Sequence, residues 1–245
     1  MEVPLNILHD YIGIPILLGI SIDAFHRKRK NNNSISLYLG WACLFAAIAA
    51  SCFGLPVLFT HDSRLLGIGT LVGDYSFALS MVFFWMICFK AFLANKPALR
   101  NFALFLLVGV TLAICIEAIF RNLTPPYGAH VTYGSNGRIA LDYKDTLFFT
   151  IFNAIDSAVL LIIGVLFWRQ GKDAATRGQR LRIKGSAVSF LVFAAAYIVT
   201  PVFGLEKQAQ ASFILLSAGL IIFGGTNLLG ATIDRATNVP NQPTS

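Results

Sequence analysis

The chain has 245 residues, of which 56% are hydrophobic and only 13% are charged. A typical soluble domain has about a quarter of its residues charged, so this composition excludes an ordinary soluble domain and indicates that lipid is the solvent. The formal net charge of +7 does not predict nucleic-acid binding, because the basic residues are concentrated in short segments between apolar stretches.

Seven apolar stretches account for most of the chain, and each is close to the length of about 20 residues that crosses a bilayer as a helix. They predict transmembrane helices at 5–25, 35–59, 65–93, 102–121, 146–168, 185–204 and 209–232. No basic region precedes the first stretch, which predicts a retained span and not a cleaved signal peptide. The prediction is an all-α membrane bundle over residues 1–233, with a disordered cytoplasmic tail at 234–245.

The basic residues also predict an orientation. Thirteen Lys and Arg residues fall in the segments after the first, third, fifth and seventh predicted helices, and five fall in the segments on the other side. Because the basic excess of membrane proteins lies on the cytoplasmic side, the N-terminus is predicted to be outside and the C-terminus in the cytoplasm. This rule also accounts for the basic segment at 169–184.

The predicted external segment at 122–145 contains the turn sequence Gly134-Ser135-Asn136-Gly137 between alternating apolar positions. This pattern predicts a small external β-hairpin between the fourth and fifth helices. The hairpin is either a cap over the bundle or a lid that contacts a ligand. The same segment begins with Asn122-Leu123-Thr124, which matches the acceptor sequence for N-glycosylation.

Ionisable side chains inside a bilayer are costly and are therefore candidate functional residues. Asp74 and Asp156 each lie about ten residues, or roughly 15 Å, from the outer end of a predicted helix, near the midplane. Asn153 shares a helical face with Asp156, and Tyr75 follows Asp74. These four residues are predicted to line one ligand-binding pocket, or alternatively to hydrogen-bond between helices as packing contacts. No cation lies at the predicted depth, so a protonated carboxyl group that permits proton coupling is expected.

Two further features concern the helices themselves. Glu117 and Arg121 are four residues apart near the end of the fourth helix, which predicts a structural ion pair. Pro56 and Pro201 occupy equivalent places in the second and sixth helices and are predicted to kink them. Their equivalence is consistent with helices one to three being repeated as five to seven, an arrangement that transporters use.

The sequences Glu117-Ala118-Ile119-Phe120-Arg121 and 147–156, separated by the external loop, resemble fungal seven-helix proteins of the lipid-translocating exporter type. That resemblance implies seven helices, an outside N-terminus and a role in lipid movement or stress response. The chain departs from the family pattern because its acidic residue precedes the arginine and its second helix has no matching acidic residue. The predicted topology is also similar to that of the seven-helix sensor regions of bacterial histidine kinases.

Other functions are excluded or disfavoured by missing residues. The predicted span 209–232 has no lysine for a retinal Schiff base, and the four histidines lie at helix ends or in loops, so no metal site or cofactor is predicted. The motifs of common G-protein-coupled receptors and of catalytic nucleophiles or phosphate loops are missing, so the chain is not expected to be an enzyme.

Three functions remain open. The first is a small transporter or lipid-handling protein with the polar pocket near the midplane, and its partners would be membrane lipids and a small-molecule or lipid ligand. The second is a sensor or receptor that binds a ligand under the external hairpin and signals through the basic segment. The third is a structural partner without a ligand.

Overall fold

The computed structural model describes residues 8–32, 34–125, 127–133, 139–143, 147–199 and 205–237. Within these ranges the chain forms seven α-helices and one pair of β-strands. The helices are α1 Leu8–Asn31, α2 Ser34–Gly54, α3 Ser63–Phe92, α4 Pro97–Leu123, α5 Leu147–Gln170, α6 Arg177–Val199 and α7 Leu205–Thr237. The strands, β1 Ala129–Tyr133 and β2 Ile139–Tyr143, lie between α4 and α5.

Five segments of the described chain are long and apolar enough to cross a membrane. They are Ser34–Leu58, Ser63–Lys90, Pro97–Leu123, Arg177–Ile198 and Ile214–Asp234. In α5 the apolar part among the described residues is the shorter helical segment Ser157–Gln170. The chain is therefore an all-α protein whose helices are those of a multi-pass membrane protein.

Some predicted helix boundaries are wrong, for reasons that lie in the backbone. α2 ends at Gly54 and is followed by a 3-10 turn, Pro56–Leu58, so Pro56 ends the helix where a kink was predicted. A proline has no N–H to donate to the carbonyl four residues earlier, and its ring clashes with that carbonyl. Pro201, the other proline predicted to cause a kink, lies outside the described residues.

The last two helices are longer than predicted. α6 begins at Arg177, because the Thr176 hydroxyl accepts a hydrogen bond from the backbone N–H of Gln179 at 3.0 Å and caps the helix. Much of the basic segment 169–184 is therefore helical. α7 continues to Thr237, so residues 234–237 are helical and not part of a disordered tail, while 238–245 lie outside the described residues.

The helices pack in two sequential groups: α2 packs against α1 and α3, and α6 packs against α5 and α7. The groups meet where α1 packs against α7 and where the C-terminal half of α3 contacts α5 and α6. The second contact is an apolar cluster formed by Cys88, Leu160, Ile163, Phe190 and Ala194. α3 therefore occupies the centre of the bundle.

α4 lies outside these two groups and packs mainly against α3. Only 6% of its most apolar stretch is buried, compared with 39% in each of the other four candidate spans. Large apolar side chains are exposed around the helix, including Phe102, Phe105, Val108, Leu112, Ile116 and Phe120. In a membrane these side chains would contact lipid.

β1 and β2 pair in an antiparallel ladder, with Val131 opposite Leu141. Ala129 of β1 is fully buried and forms a small apolar cluster with Val57 and Leu66, against which Tyr11 and Val131 pack. β1 therefore lies over the adjoining ends of α1, the 3-10 turn and α3. The predicted turn at 134–137 lies outside the described residues.

Candidate functional site

The main buried charge cluster of the described chain lies between α3 and α4. Arg121 Nη2 is 2.6 Å from Asp74 Oδ2, and Asn122 Nδ2 donates a hydrogen bond to the same oxygen at 2.7 Å. The Arg121 and Asp74 side chains are only 3% and 11% exposed. The expectation that Asp74 lacks a cationic partner is therefore wrong. A long side chain on a helix points back toward the helix N-terminus, which takes the Arg121 guanidinium down to Asp74.

Arg121 also contacts a second carboxylate. Its Nε lies 3.4 Å from Oε2 of Glu117, at the four-residue spacing that places both side chains on one face of α4. One guanidinium therefore lies between two carboxylates that come from different helices. When both carboxylates are ionised, this group has one more negative charge than positive charge.

Tyr75 fixes the level of the cluster along the helices. Its hydroxyl donates a hydrogen bond to the backbone oxygen of Cys115 at 3.2 Å. Asp74 therefore lies level with about residue 116 of α4, roughly 10 Å below the helix end at Leu123. This position is about midway between the middle of α4 and its C-terminal end. Tyr75 itself contacts α4 through this hydrogen bond.

Asn122 also belongs to the cluster, whereas its sequence pattern predicts only a glycosylation acceptor. The residue is fully buried, because two glycines allow neighbouring backbone to approach it. A Cβ atom on Gly67 would lie 2.5 Å from the Asn122 carbonyl oxygen, and one on Gly128 would lie 2.0 Å from Oδ1. In the folded protein the Asn122 amide is inaccessible to a glycosylating enzyme. Its Oδ1 is buried and has no hydrogen-bond partner within the described part of the chain.

The other two predicted pocket residues, Asn153 and Asp156, belong to α5, but their side chains lie outside the described residues. Their backbone level follows from the packing of α5 on α3. Cys88 clusters with Leu160 and Ile163, and the rings of Phe92 and Phe167 are 6.1 Å apart. This register places residue 156 level with about residue 81 of α3, roughly 10 Å further along the bundle than Asp74. A pocket shared by the two aspartates stays a prediction.

The chain sequence contained a signal for the Asp74 contacts. α3 and α4 are joined by a connection of only four residues, 93–96, so they must run antiparallel as neighbours. Counting outward from the middle of that connection places residue 74 opposite residue 115, which is within two helical turns of Glu117, Arg121 and Asn122. Counting residues in this way predicts from the sequence alone that Arg121 lies near Asp74.

No family model matches this chain, and no curated protein matches it. The resemblance to lipid-translocating exporters therefore depends only on the residues quoted for it.

Proposed function

We propose that this chain is a seven-span membrane protein, with its N-terminus outside and its C-terminus in the cytoplasm, that binds and moves an amphiphilic molecule. Its substrate class is a lipid-like molecule with a cationic or zwitterionic head group. The observation that carries this proposal is the buried Asp74–Glu117–Arg121 charge cluster at the boundary between α3 and the lipid-exposed α4.

The charges of the cluster match such a head group. An ammonium group would balance the excess negative charge of Asp74 and Glu117, and Asn122 Oδ1 is a buried acceptor for its protons. A phosphate group would bind the guanidinium of Arg121. Charged residues at membrane depth are typical of substrate pathways, because their burial has to be offset by a partner.

The cluster lies beside exposed apolar side chains of α4, which suit the acyl chain of the proposed substrate. α4 exposes Phe105, Leu112 and Ile116 on the same helix that carries Glu117 and Arg121. An acyl chain could therefore remain in the lipid phase beside α4 while its head group enters between α3 and α4. This arrangement does not require a water-filled channel through the bundle.

Lipid movement is tested with the purified full-length protein in phosphatidylcholine vesicles that contain a tail-labelled fluorescent phosphatidylethanolamine, whose ammonium group carries the protons that Asn122 Oδ1 would accept. Dithionite reduces only the label in the outer leaflet, so the slow phase of fluorescence loss measures movement between leaflets. We expect the protein to accelerate this phase relative to empty vesicles, and Asp74→Asn to abolish most of the acceleration. Asp234→Asn is the matched control, because Asp234 also lies 2.6 Å from an arginine but at the α6–α7 contact.

Activity that survives Asp74→Asn combined with Asp156→Asn would overturn the site. A charge exchange, Asp74→Arg with Arg121→Asp, separates binding from packing. If the pair only holds α3 and α4 together, the exchanged pair restores both folding and activity. Our proposal predicts a folded protein that moves lipid no faster than empty vesicles, because the positions of the charges in the head-group site are inverted.

The alternative is a sensor that binds a ligand under the hairpin. The supporting observation is that β1 packs on Leu66 of α3, so a displacement of the strand would reach the central helix. Deletion of residues 131–141 discriminates between the two functions. It abolishes any ligand response of a sensor, whereas lipid movement at the α3–α4 cluster continues.

A further inference from the structure

Two lysines converge on the short connection between α1 and α2, at the end of the bundle opposite the Asp74 cluster. Lys28 of α1 donates a hydrogen bond to Asn32 Oδ1, and Lys90 of α3 donates one to Ser34 Oγ. The Cα atoms of residues 32 and 34 are at most about 7 Å apart, because only two peptide units separate them. Cations from two different helices therefore reach Asn32 and Ser34, which are here together called the inner turn.

The inner turn is positively charged and is not neutralised by acidic side chains of the described chain. Asp23 is the carboxylate of α1 closest in sequence to Lys28, and it lies 3.2 Å from Arg27. Asn32 has a φ of 48°, the left-handed conformation that asparagine tolerates better than most residues. α2 begins at Ser34, and the Ser34 hydroxyl is the group that Lys90 contacts.

A row of aromatic rings lies further into the bundle from the inner turn. The Trp41 and Phe83 rings are stacked with centroids 6.2 Å apart, and Phe45 stacks on Phe83 at 5.8 Å. Phe25 meets Trp41 edge-on at 5.4 Å. Trp41 remains 38% exposed, so one side of this aromatic row faces the surroundings of the bundle.

The inner turn and the aromatic row are separated by the same number of residues on α2 and on α3. Trp41 is two helical turns after Ser34, and Phe83 is two turns before Lys90, so on each helix the backbone of the aromatic residue lies about 10 Å along the axis from the residue at the inner turn. A phospholipid has the same arrangement, with its phosphate at the surface and its acyl chains beginning several ångströms deeper.

We propose that the inner turn and the aromatic row form a binding site for an anionic phospholipid. Its phosphate lies between Lys28 and Lys90, with the Ser34 hydroxyl as a further donor, and its acyl chain lies along Trp41 and Phe83. The site shares no residue with the Asp74 cluster and has the opposite charge. It therefore retains an anionic lipid at the α1–α3 end of the bundle, whereas the proposed function concerns head groups with a positive charge.

The experiment uses the full chain with Trp85→Phe and Trp168→Phe, which leaves Trp41 as the only tryptophan of the three. The protein is reconstituted in phosphatidylcholine vesicles that contain brominated phosphatidylglycerol or, separately, brominated phosphatidylcholine. Bromine quenches tryptophan fluorescence only at close contact, so the two titrations give the relative affinity of the lipids beside Trp41. We expect phosphatidylglycerol to be preferred.

Lys28→Gln with Lys90→Gln should lower this preference by about fivefold for each lysine removed, the effect of one basic residue near an anionic surface. Lys28→Arg with Lys90→Arg keeps the charges and should keep most of the preference. Arg177→Gln with Arg180→Gln removes the same charge from exposed positions of α6 and should change little. A preference that survives the double glutamine variant, or that falls equally in the α6 control, would overturn the site.

Discussion

The ion pairs Arg121–Asp74 and Arg182–Asp234 have the same closest distance, 2.6 Å, but they lie at helix contacts of opposite character. α6 and α7 pack backbone to backbone, since a Cβ atom on Gly178 would lie 2.3 Å from the carbonyl oxygen of Gly230. α4 is scarcely buried and packs against α3 less extensively than α6 packs against α7.

Ion pairs of the same length therefore contribute differently to holding the helices together at the α3–α4 and α6–α7 contacts. At the α6–α7 contact, close helix packing supplies the adhesion and the ion pair lies at its partly exposed edge, with side chains 18% and 19% exposed. Between α3 and α4, the buried polar cluster supplies a large part of the adhesion. A helix contact held by charges can be opened by a ligand that replaces them, whereas a contact held by close packing cannot. Four predictions follow this contrast.

The largest effect is expected at Arg121. Arg121→Met leaves the carboxylates of Asp74 and Glu117 without the guanidinium that lies between them. Removal of one member of a buried pair costs about 3–5 kcal/mol. The free energy of unfolding is measured by titration with SDS in mixed micelles, followed by circular dichroism. The matched variant is Arg182→Met, and an equal loss in both variants would contradict the contrast between the two contacts.

The next effect concerns close packing. Gly178→Val places a side chain against the backbone of α7 and should cost about 1–3 kcal/mol or more, because the helices must move apart. Gly109→Val on α4 is the control, since a Cβ atom there has nothing within 4 Å. In the same titration Gly109→Val should change stability little. A larger loss at Gly109 than at Gly178 would indicate that α4 is packed more closely than α7.

A comparable or smaller effect is expected at Asn122. Asn122→Ala removes the hydrogen bond to Asp74 Oδ2 and should cost about 1–2 kcal/mol. Asn101→Ala, at an exposed position of the same helix, is the control. When the chain is expressed in a glycosylating host, the folded protein should also show no mass shift from a glycan at Asn122. A glycan on the folded protein would show that the amide is not enclosed.

The smallest effect is expected at Asp234. Asp234→Asn weakens the pair with Arg182 but can retain a hydrogen bond to the Thr176 hydroxyl, which now lies 2.8 Å from Oδ1. A partly exposed ion pair contributes about 0–1 kcal/mol. Thermal unfolding in detergent at low and high salt checks this, because the small effect should shrink further as salt increases. A loss close to that of Arg121→Met would contradict it.

Most helix positions could be predicted because a long apolar stretch in lipid has to satisfy its backbone groups internally, and a helix does so. The errors lie at the ends of helices, where local polar groups decide. Thr176 caps α6 before the apolar stretch begins, and Pro56 ends α2 inside one. The candidate site was predicted in part, because Asp74, Tyr75, Glu117 and Arg121 were identified by their charge or polarity within apolar helices.

The sequence by itself determined that this is an all-α protein with helices for a membrane, because composition and apolar length decide both. It also identified Asp74, Glu117 and Arg121 as ionisable residues within apolar stretches. Only the tertiary structure decided that Arg121 and Asn122 reach Asp74, because that contact depends on the register between α3 and α4 and on the close approach at Gly67 and Gly128. The residues that pair between two helices depend on how the helix surfaces pack, and the residue pattern along one helix does not predict this packing.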